Sequence, residues 1–505
     1  MLLPRPTHLI REAGHFALDA ATSVCAPVGV ADLLRELLTP ATGLPLPPVG
    51  APGEGVISLL VRDDPELGAE GYRLRVDPAG VRAVAAAEAG LRWAVQTLRQ
   101  LLPEQVYAAG PVTGVPWRLP MVEIVDVPAY PWRGSLLDVA RWCHPLPLLY
   151  RYVDVLAMHK LNTLHLHLTD DQGWRFEVRR YPRLTEVGGF RVASPAGHLR
   201  DGRSDGVPHG GWYRQAELRD LVAYAARRGV RIMPEIDLPG HAQAAIAAYP
   251  EFGNDPTRQL AVGTTWGIST HVLNLEPATL AAVHHILDEV VEVFPFEYVH
   301  VGGDEVPTAE WAANPAAVAR ATELGLPRVA DLQGWWTGRL AEHLAGHGRR
   351  TAVWDELLDR GAPAGATVFA WRGIDRIDAA RAAGLPVVAA PYSHTYFDWA
   401  ESDDPAEPLA IAGVLPLRTV YGFQPGDVLG VQGQLWSEYL PTEQRVWWRA
   451  FPRLAALAEV GWSGPVPTDD TGAVPPGVWA EFRSRLTGQL RRLDRAGVSY
   501  RPPDD

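Results

Sequence analysis

The sequence predicts an α/β fold, a (β/α)8 barrel preceded by a small α+β domain. A chain of 505 residues is too long for one small domain. From residue 132 onward, short apolar runs alternate with helical patterns, whereas the residues before it show no such alternation. The apolar content of 47% and charged content of 21% are ordinary for a globular protein. We therefore expect an N-terminal α+β domain over 1–125 and a barrel over 126–505.

The first part of the chain combines strand-like and helical segments. Residues 56–62 and 72–76 have the composition of strands, and 83–102 have apolar positions three and four apart, as in an amphipathic helix. This mixture indicates a small α+β domain. Four prolines between 116 and 131 predict a linker into the barrel. Only Trp93 and Trp117 of the 18 tryptophans lie in this part, so a concave site lined by aromatic rings is expected in the second part.

The second part shows eight strand–helix units in chain order. The candidate strands are 134–139, 163–168, 230–236, 298–301, 351–354, 367–371, 386–390 and 428–436. Helical patterns lie between or after them at 147–159, 215–228, 278–294, 330–346 and 443–461. Strands that alternate with helices predict a parallel sheet, and eight units in roughly 360 residues predict a TIM barrel with long loops.

Charge and composition exclude several classes of partner. A net charge of −13 leaves no basic excess for phosphates, so no nucleic-acid partner is expected. No run of 18 apolar residues occurs, so no membrane segment is expected. Cys25 and Cys143 alone give neither a disulfide framework nor a cysteine metal site. The first 20 residues contain charged side chains and lack the apolar core of a signal peptide, which predicts a cytoplasmic protein, although a secreted form trimmed of its leader would look the same.

The segment 298–307 contains two adjacent carboxylates. Tyr298 to Val301 form a short strand pattern that Gly302 and Gly303 interrupt before Asp304 and Glu305. Neighbours on a regular strand face opposite sides, so both acids reach one pocket only if the glycines let the backbone leave the extended form. An acidic pair at the C-terminal end of a barrel strand indicates a catalytic site. The alternative is a polar strand exit in which Asp304 caps the next helix.

The other predicted strands also end in carboxylates, tryptophans or both. These ends are 138–142, 165–174, 234–241, 354–356, 371–373, 396–398 and 434–438. Indole rings can cover the apolar face of a pyranose while carboxylates and arginines bind its hydroxyl groups. The combination therefore predicts a sugar pocket at this end of the barrel.

These segments, taken together, resemble glycoside hydrolase family 20, the β-N-acetylhexosaminidases. The motifs are Pro131-Trp-Arg-Gly134, His165-x-His-Leu-Thr-Asp-Asp-Gln-Gly-Trp-Arg175, Pro234-Glu-Ile-Asp-x-Pro-Gly-His241, His300-x-Gly-Gly-Asp-Glu305, Trp354-Asp-Glu356, Trp371-Arg-Gly373, Tyr396-x-Asp398 and Gln434-x-Trp-Ser-Glu438. The resemblance covers the whole barrel and, more weakly, the domain before it.

The resemblance implies an exo-acting retaining hydrolase without a metal or other cofactor. Its substrate would be an oligosaccharide or glycoconjugate with a terminal non-reducing N-acetylglucosamine or N-acetylgalactosamine. The 2-acetamido group of that sugar would act as nucleophile through an oxazolinium intermediate. Two alternatives remain: an enzyme of the same family specific for a terminal disaccharide, and a non-catalytic amino-sugar-binding protein on the same scaffold.

The resemblance also implies roles for single residues. Glu305 would be the general acid and base, Asp304 would hold the acetamido N–H, and Tyr396 would orient the acetamido oxygen. His241 with Asp170 or its neighbour Asp171 would form a charged relay behind Glu305. The substrate-binding residues would be Arg133, Trp354, Trp371, Asp398, Trp436 and Glu438.

Two pairs of histidines suggest metal sites in principle. His165 and His167 share a strand face and precede two aspartates, but the pattern offers no third histidine ligand, so we interpret them as hydrogen-bonded barrel residues. His343 and His347 are four apart in a helical pattern that lacks the glutamate of the zinc-protease motif, and we interpret them as a solvated helix face.

Overall fold

The computed structural model describes residues 1–504, and its first unit is a six-stranded sheet with two helices. In chain order the elements are β1 (His8–Ala17), β2 (Ser23–Cys25), α1 (Val28–Thr42), β3 (Val56–Val61), β4 (Tyr72–Asp77), β5 (Gly80–Ala85), α2 (Glu88–Leu101) and β6 (Arg118–Asp126). The strand order is β1-β6-β4-β5-β3-β2, with β2, β3 and β5 parallel and the remaining pairs antiparallel. Helix α2 packs on the sheet and α1 packs on α2.

Two predictions for this unit are wrong. Residues 83–85, predicted as helix, belong to β5, because a turn after Asp77 folds the chain back and pairs β5 with β4. Residues 118–126, predicted as linker, form the inner strand β6. Pro120 is tolerated there because it lies opposite His15, beside a register shift in the β1–β6 ladder.

The second unit is a closed barrel of eight parallel strands, which confirms the predicted fold class. In chain order its elements are β7 (Trp132–Asp138), α3 (Leu146–Met158), β8 (Thr163–His167), β9 (Thr169–Asp170), β10 (Gly173–Trp174), α4 (Arg183–Glu186), β11 (Phe190–Arg191), β12 (His209–Gly210), α5 (Gln215–Arg227), β13 (Arg231–Glu235), α6 (Gln243–Ala248), α7 (Pro277–Val293), β14 (Tyr298–His300), α8 (Ala309–Ala313), α9 (Pro315–Glu323), α10 (Leu332–Gly346), β15 (Arg350–Trp354), β16 (Thr367–Ala370), α11 (Ile374–Ala382), β17 (Val387–Ala389), α12 (Tyr392–Thr395), α13 (Leu417–Tyr421), β18 (Gly430–Leu435), α14 (Glu443–Ala450), α15 (Arg453–Ser463) and α16 (Pro476–Arg495). The barrel strands are β7, β8 and β13 to β18.

The last helices differ from the prediction. The segment 443–461, predicted as one helix, is divided into α14 and α15 because Pro452 cannot continue the hydrogen bonding of a helix interior. Helix α16 returns to the first unit, where the Arg492 guanidinium donates to the carbonyl oxygen of Gln100 at 3.0 Å. Across residues 1–504, no helix combines the length and apolarity needed to cross a membrane.

The barrel interior is closed at its N-terminal end by aromatic side chains. The ring of Trp132 lies 5.4 Å from that of Tyr298 and 5.5 Å from that of Phe369, and all three residues are buried. A packed layer at this end leaves the C-terminal ends of the strands as the place for a cavity.

Candidate active site

A cavity of about 460 Å³ lies at the C-terminal ends of the barrel strands. Its lining residues are Arg141, His241, Gly267, Ile268, Asp304, Glu305, Trp371, Tyr392, Tyr396, Asp398, Trp399, Ile411, Ala412, Trp436 and Glu438. A larger cavity of about 720 Å³ lies between the first residues and α16. Among residues 1–504, the lining of that larger cavity includes one carboxylate, Glu481, and no histidine, so the groups suited to acid–base chemistry are concentrated in the smaller cavity.

The backbone turn after β14 brings both adjacent carboxylates to this cavity. Gly302 and Gly303 have φ values of 67° and 97°, in the left-handed region, and Glu305 follows with φ of 50°. The positive φ at Glu305 is unusual for a residue with a side chain and marks local strain of a kind found at functional sites. As a result, the side chains of Asp304 and Glu305 both line the cavity.

The turn leaves no room for side chains at the two glycines. A Cβ atom on Gly302 would lie 1.7 Å from Oδ1 of Asp237, and one on Gly303 would lie 2.4 Å from Cδ2 of Leu357. Oδ1 of Asp237 also accepts a hydrogen bond from the Gly303 amide at 3.1 Å. Glycine is therefore needed at both positions for two reasons: the positive φ of the backbone and the lack of space for a Cβ atom.

His241 lies behind the two acids. Its Nε2 atom is 3.4 Å from Oε2 of Glu305 and 3.8 Å from Oδ2 of Asp304. Burial disfavours the charged imidazolium, but the negative charge of Asp170 and the hydrogen bonds that Asp170 and Asp171 accept from the ring outweigh it and raise the pKa of His241 well above its usual value. A charged imidazolium at this distance can stabilise Glu305 after it has given up its proton.

The geometry separates the two candidates for the carboxylate behind His241. Nδ1 of His241 lies 3.1 Å from Oδ1 of Asp170 and 3.3 Å from Oδ2 of Asp171. Asp171 is occupied by the backbone amides of Gln243 and Ser269, which donate to it at 3.0 and 3.1 Å. Asp170 instead belongs to the ionic network of the pocket, so its assignment as the relay carboxylate stays the better prediction.

Three acids of the cavity carry raised pKa values. Burial, followed by the negative charge of Asp237, raises the pKa of Asp304 well above its usual range. Burial and the charge of Glu438 raise the pKa of Asp398 to about 8, and burial also raises the pKa of Glu438. Oδ1 of Asp304 and Oδ1 of Asp398 are buried without a hydrogen-bond partner in residues 1–504. Unpaired buried acceptors of this kind fit a ligand that brings several N–H and O–H donors.

Aromatic rings form one side of the cavity. Tyr396 stacks on Trp371 with ring centroids 5.9 Å apart and an angle of 20°, and it lies 6.4 Å from Trp436. All three line the cavity. Trp354 does not: it is 1% exposed, its ring packs 5.8 Å from that of Trp436, and its Nε1 donates to Glu235 at 2.8 Å. Trp354 therefore packs behind Trp436, which lines the cavity, and does not line the cavity itself.

Arg133, also predicted to bind the sugar, lies at the other end of the barrel, and that prediction is wrong. It occupies the beginning of β7, where its guanidinium donates to Glu70 of the first unit with two distances of 2.9 Å and is fully buried. The beginning of a parallel strand faces the end of the barrel opposite the cavity.

Arg141, three residues beyond the end of the same strand, lines the cavity in its place. Its guanidinium pairs with Oδ2 of Asp170 at 2.7 Å and with Oδ2 of Asp138 at 3.2 Å, and it lies 5.2 Å from the ring of Trp436. The signal that could have identified it is its place just after a strand end, since residues beyond that end reach the cavity.

Two further features of the cavity were not predicted. Glu356 holds Trp371 by accepting from its Nε1 at 3.0 and 3.2 Å, and Asp355 accepts from the Trp371 amide at 2.6 Å. Both acids therefore position Trp371 and not the adjacent Trp354. Ile268 and Ile411 reach the rim from long loops that lie far apart in the chain, and loop sequence carries no periodic signal that would place them there.

His165 and His167 lie beneath the cavity floor in a buried network around Glu235. Nδ1 of His167 is 2.6 Å from Oε2 of Glu235, and its Nε2 is 2.9 Å from Oδ2 of Asp170. Nδ1 of His165 pairs with the Gln432 amide at 3.0 Å. Both histidines are hydrogen-bonded barrel residues, and the network connects the floor to Asp170 in the wall.

Two family models match the chain in sequence. One, described as "Glycosyl hydrolase family 20, catalytic domain", matches residues 130–465, and the other, "Glycosyl hydrolase family 20, domain 2", matches residues 1–127. A β-hexosaminidase of Porphyromonas gingivalis is 36% identical over 99% of this chain, which spans 64% of that protein's length. A β-N-acetylhexosaminidase of Cellulomonas fimi is 32% identical over 99% of this chain and 95% of its own.

Solved structures are similar over the same range. The family 20 β-N-acetylhexosaminidase of Streptomyces coelicolor A3(2) has a TM-score of 0.84 and 30% identity, and the match covers 99% of this chain and 98% of that one. A D313A variant of the Streptomyces plicatus β-hexosaminidase, in complex with N-acetylglucosamine as product, has a TM-score of 0.83 and 31% identity over 100% of this chain and 97% of its own. The match over more than half of the chain to the catalytic-domain model shows that the chain belongs to glycosyl hydrolase family 20.

Proposed function

We propose that the protein is a retaining exo-β-N-acetylhexosaminidase that removes terminal non-reducing N-acetylglucosamine or N-acetylgalactosamine by substrate-assisted catalysis. The observation that carries this proposal is that Asp304 and Glu305, although adjacent in sequence, face one cavity with His241 3.8 and 3.4 Å behind them. The relatives named β-hexosaminidase and the N-acetylglucosamine complex of the Streptomyces plicatus enzyme support the same substrate class.

In the first step, the carbonyl oxygen of the sugar's 2-acetamido group attacks C1 while the bond from C1 to the glycosidic oxygen breaks. Glu305 donates its proton to that leaving oxygen. The resulting oxazolinium ion carries a positive charge shared with its nitrogen, and Asp304 accepts the N–H and stabilises that charge. Holding the nucleophile within the substrate removes much of the entropic cost of bringing two reactants together, worth about 7 kcal/mol or more in well-aligned cases.

In the second step, water attacks C1, Glu305 takes a proton from that water, and the bond between C1 and the acetamido oxygen breaks. Two displacements at C1 give net retention. Tyr396 donates its hydroxyl to the acetamido oxygen, while Trp371 and Trp436 cover the acetamido group and the sugar face. Arg141, Asp398 and Glu438 bind the sugar hydroxyls, and their common position in the cavity lining supports this role, because fixed charged groups bind hydroxyls directionally.

The test compares two aryl glycosides that differ only at C2. The 4-nitrophenyl glycoside of N-acetylglucosamine should be hydrolysed, and the corresponding plain glucoside should not. Equal rates on both would exclude participation of the acetamido group. Binding of N-acetylglucosamine without turnover of either glycoside would favour the non-catalytic alternative.

A further inference from the structure

A cluster of histidines lies on the outer helices of the barrel, away from the cavity. Asp288 belongs to α7, and His343 and His347 lie on and at the end of α10. Nε2 of His343 is 2.7 Å from Oδ1 of Asp288, and Nε2 of His347 is 2.9 Å from the same oxygen. Two ring nitrogens and one carboxylate oxygen therefore converge on one point between two helices.

The secondary structure explains the convergence. Residues four apart on a helix share a face, so His343 and His347 both face α7, which packs against α10. The ring of His284 on α7 stacks on that of His343, with centroids 4.2 Å apart and an angle of 3°. This stacking contact orients the plane of the His343 ring.

The cluster is accessible to solution. The side chains of Asp288, His343 and His347 are 39%, 21% and 40% exposed. Water molecules could therefore complete a coordination shell, and an ion could enter without a change of fold.

The distances are close to those of a coordinated ion. The bonds from zinc to an imidazole nitrogen or a carboxylate oxygen are roughly 2.0–2.1 Å long. At tetrahedral angles, bonds of this length place neighbouring ligand atoms roughly 3.3 Å apart. The observed separations of 2.7 and 2.9 Å are those of N–H groups donating to a carboxylate. An opening of about half an ångström, through rotation of the Asp288 and His347 side chains, would let one cation take the place of the two Nε2 protons, which move through solvent to Nδ1 of the same rings.

We propose that Asp288, His343 and His347 bind a divalent transition-metal ion such as Zn²⁺, with water in the remaining positions. Two imidazoles and one carboxylate favour Zn²⁺, Ni²⁺ or Cu²⁺ over Mg²⁺ and Ca²⁺, which prefer all-oxygen sites. An ion held by ligands from two helices clamps α7 to α10, so its effect is on the stability of the native state and not on sugar hydrolysis.

The test is calorimetric titration of the metal-stripped full chain with Zn²⁺, combined with thermal unfolding in Zn²⁺ and in Mg²⁺. Wild type should bind Zn²⁺ at this site and gain thermal stability with Zn²⁺ but not with Mg²⁺. His347→Gln and Asp288→Asn should each weaken the binding roughly tenfold or more, since even partners outside the ligand set cost 10–100-fold. Their exposed positions make loss of folding by these variants a poor explanation, and unchanged glycosidase activity checks it.

His285→Gln is the matched control, because His285 lies on α7 but contacts Tyr181, with 3.1 Å between Nδ1 and the tyrosine oxygen. This variant should bind Zn²⁺ like wild type. Absence of Zn²⁺ binding, or equal binding in wild type and His347→Gln, would overturn the proposal. Binding that is kept in His347→Gln but lost in Asp304→Asn would place the ion in the cavity and would also overturn it.

Discussion

Replacing Asp304 by Asn tests the proposed mechanism directly, because the change removes one negative charge and almost no volume. In the native enzyme the carboxylate would accept the acetamido N–H and face the positive charge that develops on the oxazolinium nitrogen. The cavity buries Asp304, which is 8% exposed, so solvent screens this interaction little. We expect the interaction to strengthen as charge develops, so its loss should reduce kcat more than it raises KM.

The expected magnitude follows from removing one preorganised electrostatic partner of a transition state. Such changes lower kcat by about 10²–10³-fold, or ~3–4 kcal/mol. The pH profile gives a second measure. Since burial and Asp237 raise the pKa of Asp304, part of the wild-type enzyme carries a neutral Asp304 at acidic pH and should lose activity there. The Asp304→Asn variant has no ionisable group at this position, so its activity should not show this loss at acidic pH.

The assay is steady-state hydrolysis of the 4-nitrophenyl glycoside of N-acetylglucosamine across pH, with kcat and KM measured separately. Asp427→Asn is the matched control, since its side chain is 93% exposed and lies 3.5 Å from the guanidinium of Arg381. It should behave as wild type. A kcat for Asp304→Asn within a few-fold of wild type would refute the electrostatic role, and an unchanged acidic limb would refute the assignment of that limb to Asp304.

The remaining predictions concern the arginines, the turn and the raised acids. Arg141→Ala should reduce kcat/KM strongly, and it should also lower stability because it leaves the buried Asp138 and Asp170 without their guanidinium. Arg133→Ala, which removes the guanidinium from the part-buried Glu70, should cost about 3–5 kcal/mol of stability in denaturant unfolding with a nearly unchanged KM. A strong rise of KM in Arg133→Ala, or an unchanged kcat/KM in Arg141→Ala, would contradict the placement of these residues. Gly302→Ala should abolish activity, because the added Cβ would collide with Asp237. Gly325→Ala is the control: Gly325 also has a positive φ, of 65°, but lies in open space, so this change should lower the stability of the fold by only about 1–2 kcal/mol. An equal loss of activity in the two variants would contradict the steric argument. Burial and the charge of Asp304 raise the pKa of Glu356 from 4.5 to about 8. The neutral form of Glu356 therefore contributes to the stability of the fold, fully below pH 4.5, and this stabilisation is lost as the pH rises through about 8. Glu356→Gln should therefore unfold at a higher temperature than wild type at pH 8 and at a similar one near pH 4, and equal unfolding temperatures at pH 8 would contradict the shift.

The barrel was predictable because its strands are buried on both faces. Even β14, with three residues, has the β-branched and aromatic composition of a buried strand and is followed by glycines. The strands β1 and β6 escaped prediction for the opposite reason. Most of β1 is exposed and lacks an apolar alternation, and β6 contains Pro120, which ordinarily argues against an inner strand. Pairing between strands that lie about a hundred residues apart supplies what the local pattern does not.

The site was predictable where strand direction was taken into account. In a parallel barrel, about 3.3 Å of rise per residue separates the beginning of β7 from its end by roughly 20 Å, so Arg133 and Arg141 belong to opposite ends of the barrel although they are close in sequence. The family resemblance brought an arginine near this strand into consideration, but only the direction of the strand distinguishes the two. A residue at the start of a barrel strand is thus a candidate for stability, and one just past its end is a candidate for binding.

Asp237 connects the shape of the turn to its electrostatics. Its Oδ1 accepts the Gly303 amide at 3.1 Å and excludes any side chain from Gly302, so it helps to fix the backbone that presents Asp304 and Glu305 together. Its charge is also, after burial, the largest cause of the raised pKa of Asp304, and burial raises its own pKa to about 7. In the proposed mechanism, a substrate N–H and a developing positive charge near Asp304 would favour the ionised carboxylate that burial disfavours. The stabilisation would therefore be strongest when the positive charge is present, which is the condition for lowering the barrier and not merely for binding the sugar.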